Sequence, residues 1–133
     1  MSTCGCNFKC SCTLVALMIS LLAGVIGAFL RITAAVTLTP VTYWVLFGIA
    51  VAYLGVLAAS AGGTQHYSCC CAELSSVILG ILGTILFSGI LLLVTFEATS
   101  ILGAIMVGLL FASFALIIAG TICLIRCISG CRE

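Results

Sequence analysis

The sequence predicts an all-α membrane protein: four transmembrane helices forming two antiparallel hairpins, with both chain ends on the same side. Three observations point there. Of 133 residues, 65% are hydrophobic and only 5% charged, with a mean hydropathy of +1.52. Nearly uncharged apolar stretches cover 14–36, 41–61, 74–96 and 99–122. The ten cysteines fall in tails 1–13 and 123–133 and in loop 62–72, segments that an even number of crossings gathers at one end.

A soluble domain carries about 25% charged residues. Four Lys/Arg and three Asp/Glu cannot coat a globule of this size in water, so the apolar surface must face lipid or protein. The net charge of +1 provides no basic field for nucleic acid, which is excluded as a partner. The bilayer is the expected partner. No polar, Pro-rich or Gly/Ser-rich linker divides the chain, and 1–133 is read as a single membrane domain.

Each apolar stretch reaches the roughly 20 residues that a helix needs to cross a hydrocarbon core. Lipid offers no partner to open backbone groups, and the stretches lack the alternating polarity of barrel strands. The first stretch runs past Arg31 without a cleavage site ahead of a hydrophilic chain, so it is read as a retained helix, not a signal peptide. Thr39-Pro40 marks the start of the second helix, with Thr39 as N-cap and Pro40 in the first turn. Tyr43 and Trp44 fall at a bilayer rim, where amphipathic rings are favoured. The break Glu97-Ala98-Thr99-Ser100 is short enough to force a hairpin. Lys9, Arg126 and Arg132 lie on the cysteine side against Arg31 on the other, so charge bias puts the cysteine-rich face in the cytoplasm.

A shift of 60 residues superimposes the two hairpins, suggesting an internal duplication of parallel type. Ala16, Ser20, Gly24 and Ala28 fall on Ser76, Gly80, Thr84 and Ser88; Gly48 and Ala52 fall on Gly108 and Ala112. Ser100 and Ala104 extend the row on the fourth helix. Such small-residue rows let helix backbones approach closely, the main source of helix association in lipid. They are expected as seams of the bundle, with some row free to pack a neighbouring copy.

Cys4, Cys6, Cys10 and Cys12 precede the first span, Cys69, Cys70 and Cys71 the third, and Cys123, Cys127 and Cys131 follow the fourth. Three chemistries compete for them. Disulfides, within or between chains, suit an even number of thiols on tails and a loop, and require an oxidising compartment. Metal binding through thiolates would draw on Cys6, Cys10, Cys69, Cys71, Cys127 and Cys131 with His66, although no C-x-x-C is present. S-acylation suits cysteines beside a membrane.

The cysteine-rich ends, the central Cys69-Cys70-Cys71, the span opening Val77-Ile78-Leu79-Gly80-Ile81-Leu82-Gly83-Thr84 and the ending Cys123-Leu124-Ile125-Arg126-Cys127 resemble small cysteine-rich membrane proteins of spore-forming Firmicutes. That resemblance implies no activity and no site residues, only a spore-associated structural role.

Nothing in the sequence argues for an enzyme. Asp is absent, so no Ser/His/Asp triad can form, and no phosphate-binding glycine loop occurs. No carboxylate chain crosses the spans to carry ions. Arg31 and Glu97 lie near the ends of their spans, where snorkelling or an ion pair between the hairpins would accommodate them. Glu73 suits the start of the third helix. The expected function is a non-enzymatic, self-associating structural membrane or envelope protein, without a cofactor, whose homo-oligomer is cross-linked by cysteines on one face. The alternative is a thiol-based metal-binding or redox membrane protein, with a channel or transporter ranked behind both.

Overall fold

The computed structural model describes residues 9–35, 37–61, 71–95 and 100–130. They form α1 (Lys9–Ile32), α2 (Pro40–Ala61), α3 (Cys71–Leu93) and α4 (Ile101–Gly130), with no strand among the described residues. All four are long and apolar enough to cross a membrane, and the chain is a multi-pass membrane protein. Outward-facing Leu14, Met18, Leu22, Ile26, Leu79 and Leu86 are exposed; this surface has lipid as its natural solvent.

The helix ends follow local chemistry. α1 stops before 36 because its last turn closes in a Schellman motif: Ala35 N–H donates to the Leu30 carbonyl and Ala34 N–H to that of Arg31. Ala34 takes the left-handed conformation this motif needs, with φ 52°. Thr39 precedes Pro40 at the start of α2, and its carbonyl receives the Thr42 N–H. Ser100 caps α4 by accepting from the Gly103 N–H at 3.4 Å. α4 does not end at 122. Its 30 residues rise about 45 Å, against a hydrocarbon core of about 30 Å. The segment read as a tail from 123 is therefore helical to Gly130.

α4 is the organising helix. It packs along α1 on one face and α3 on another, and α3 packs along α2. Among the described residues α1 and α2 do not pack along one another, so the first hairpin is not a packed pair. The offset of 60 is not repeated in the packing either, since α3 and α4 are in close contact.

The α1/α4 seam is built on small residues. A methyl group at Gly24 would stand 3.0 Å from the Gly108 carbonyl, and one at Gly108 would stand 2.8 Å from that of Gly24. Ala16 and Ser20 are buried on the same row, and Ser20 Oγ donates to the Ala112 carbonyl at 2.7 Å. Along α3/α4, a methyl at Gly80 would meet the Ser113 carbonyl at 3.0 Å, and one at Gly120 would meet Val77 Cγ2 at 2.9 Å. Thr84 and Ser88 are fully buried. Their hydroxyls donate to the Gly80 and Thr84 carbonyls of their own helix, which satisfies them without a neighbour.

α2 packs differently, through Tyr43, Leu46, Ala50, Tyr53 and Leu57, mostly large residues at heptad spacing. Tyr43, only 7% exposed, is turned inward against Leu91, Val107 and Leu110. Trp44 is 63% exposed and holds the rim position, with its ring edge-on to Phe47. Gly48 and Ala52 are exposed, and a methyl at Gly48 meets nothing within 4 Å. This row lies opposite the heptad face and packs no helix of this chain.

Gly108→Ala is expected to destabilise the monomer in micelles by about 1–3 kcal/mol, despite alanine's higher helix propensity, because backbone on the facing helix cannot yield. Gly48→Ala should leave stability within about 0.5 kcal/mol or raise it slightly. Denaturant titration of the two variants side by side checks this; equal effects would refute the seam assignment.

Candidate functional site

The start of α1, the end of α2, the start of α3 and the end of α4 meet at one end of the molecule. Gly24 opposes Ala112, and Gly80 opposes Ile117, so α4 runs antiparallel to both α1 and α3. Cys10 and Cys12 lie in the first turn of α1, Cys71 begins α3, and Cys123 and Cys127 lie in the last turns of α4. All five helix-borne cysteines thus belong to this end. Cys4, Cys6, Cys69, Cys70, Cys131 and His66 lie outside the described residues.

Cys12 and Cys123 form a disulfide with Cα atoms 6.0 Å apart, joining positions separated by 111 residues. Their geometry follows from the small-residue seam. Cys123 is 6% exposed and packs with Ala16 and Leu116, with Cys12 and Ala119 against them. The bond therefore joins α1 to α4 at their contact, with Cys123 buried and Cys12 part-buried. Cys127, about one turn further along α4, is also disulfide-bonded.

A polar contact missed by sequence reasoning braces the same end. The Tyr53 and Thr121 hydroxyls are 2.7 Å apart, linking α2 to α4. Thr121 donates its proton to the Ile117 carbonyl at 2.6 Å. Tyr53 is then the donor between the two hydroxyls, since Thr121 has no second proton. The heptad spacing of Tyr43, Leu46, Ala50, Tyr53 and Leu57 carried the signal for this face.

Of the expected metal ligands, Cys127 is oxidised, and the side chains of the others lie outside the described set. Among the described residues no group of three or more His, Cys, Asp and Glu comes together. Glu97, the expected partner of Arg31, also lies outside the described residues. Arg31 is part-buried, and its Nε is buried without a hydrogen-bond partner among the described residues.

No family model, curated protein or solved structure matches the chain. The chemistry of the site therefore rests on its geometry: a covalent lock between the first and last helices, at the end where the cysteines gather.

Peptide mapping without reduction should recover Cys12 and Cys123 in one linked species. Replacing both with Ser should lower stability by about 2–4 kcal/mol, the usual effect of closing a long loop, while helix content is retained. Alkylation of both thiols in unreduced, unfolded protein would rule the bond out.

Proposed function

We propose that this chain is a self-associating structural membrane protein, in which the outward face of α2 packs against another copy and the cysteine-bearing end is fixed by oxidation. The carrying observation is the exposure of Gly48, Ala52, Gly55 and Ala59. These residues follow heptad spacing along the face of α2 opposite its packed one, and methyl groups at Gly48 and Gly55 meet nothing within 4 Å. The small-residue rows of α1, α3 and α4 are taken up inside the bundle. That of α2 is left over, on the helix with the least burial. In lipid such a surface gains most from a partner of the same kind, because close backbone approach replaces the absent hydrophobic drive. A role in a cell or spore envelope is in keeping with the resemblance noted from the sequence.

The disulfide supports placing the cysteine end in an oxidising compartment, against the charge bias of Lys9, Arg126 and Arg132. Since Cys12, Cys123 and Cys127 are already disulfide-bonded, links between copies fall to the remaining cysteines. The same disulfide favours one other reading, a thiol-based redox or metal-binding membrane protein. Free thiols and bound metal counted per chain in native membranes separate the two: stoichiometric metal or reversible oxidation supports the second, metal-free stable disulfides the first.

Fluorescence energy transfer between labelled copies in liposomes tests the interface. Wild-type protein should associate, and Gly48→Leu with Gly55→Leu should weaken association about 10- to 100-fold, as expected of about 1–3 kcal/mol of overpacking. Unaltered transfer in the double variant would remove α2 as the interface. Non-reducing gels of native membranes should show ladders that collapse to monomer with thiol reductant; one band at monomer size under both conditions would refute cross-linking.

A further inference from the structure

We propose that Arg31 and Tyr43 together form a binding site for a phosphate oxyanion at the end of the molecule opposite the cysteines. Arg31 lies in the last turn of α1. Its Nε–H is buried, and among the described residues nothing accepts from it. A buried charged donor without an acceptor is costly, so this position favours binding an anion. The helix end does not supply the acceptor, because its nearby carbonyls already receive other donors. Thr33 N–H donates to Phe29, Ala35 N–H to Leu30 and Ala34 N–H to Arg31 itself, and the Thr33 hydroxyl also lies on the Phe29 and Leu30 carbonyls.

Tyr43, at the start of α2, lies within electrostatic reach of Arg31, and its hydroxyl is a second donor of the right kind. α1 and α2 do not pack along one another. The level also fits. Arg31 is the penultimate residue of its apolar span, which ends at Ile32, and exposed Trp44 beside Tyr43 marks the interface, where headgroup phosphates reside. A guanidinium fork matches two phosphate oxygens at once, which an ammonium cannot do.

The phosphate belongs either to a lipid headgroup or to free inorganic phosphate, and the experiment distinguishes them. Full-length protein is equilibrated with mixed phosphatidylglycerol and phosphatidylcholine vesicles, extracted mildly and weighed by native mass spectrometry. Wild-type protein should retain phosphatidylglycerol preferentially, and Arg31→Gln should lose about ten-fold in retention, one charge-assisted hydrogen bond's worth. Arg31→Lys, which keeps the charge and loses the fork, should fall between, and its helix content controls for folding. Protection of wild-type protein, but not Arg31→Gln, against heat by inorganic phosphate alone would uphold the site with free phosphate as the source. Equal retention by Arg31→Gln and wild type, without such protection, would overturn the proposal. So would a loss in Glu97→Gln equal to that in Arg31→Gln, because Arg31 would then serve an ion pair within the chain.

Discussion

Close backbone approach to α4 is the constraint on which the rest of this molecule depends. Lipid tails are as apolar as leucine, so these helices gain little from hiding side chains and must gain from contact itself. The mutual approach of Gly24 and Gly108 to each other's carbonyls leaves room for nothing larger than hydrogen on either side. On its other face α4 presents Gly120 to Val77. α1 and α3 are thereby held on separate faces of one helix. The register follows: carried about three turns toward the cysteine end, the alignment of Gly24 with Ala112 brings Cys12 onto Cys123. The disulfide is a consequence of the seam as much as a support for it.

The four spans, and the placing of Cys10, Cys12, Cys71, Cys123 and Cys127 at one end, were legible because they depend on coarse quantities, run length and the parity of crossings. Helix ends were less so. α1 stops at a Schellman motif formed by alanines, where no glycine announces a turn, and α4 runs on through its cysteines because nothing between Ile122 and Ser129 breaks a helix. The rows on α1, α3 and α4 stood out in sequence, and the structure places them at seams. α2 was opaque for a physical reason: it is apolar around its whole circumference, so no hydrophobic stripe indicates which face is inward. Its inward face is distinguished instead by size and hydroxyls, Tyr43 and Tyr53 reaching past α3 to α4.

Polar side chains inside the spans obey a simple rule. Ser20, Thr84 and Ser88 in the seams each have an acceptor close by, the first on the facing helix and the other two on their own. Tyr53 and Thr121 share a chain of donation that ends on the Ile117 carbonyl. None of these carries charge. Arg31 departs from the rule with a charged donor left over, which is why a ligand is sought there and not along the hydroxyl rows.

The two proposed means of association occupy different parts of the molecule. α2 contains no cysteine, and its outward face offers only Gly48, Ala52, Gly55 and Ala59 amid branched apolar residues. Among the described residues, the cysteines belong to the ends of the other three helices. In the proposed assembly, weak packing that is reversible in lipid would sort copies into register along α2 before any bond forms, because nothing on that face reacts. Oxidation at the far end would then make a chosen arrangement permanent. Cys12 and Cys123, joined within one chain, hold α1 to α4 in the fold that presents α2.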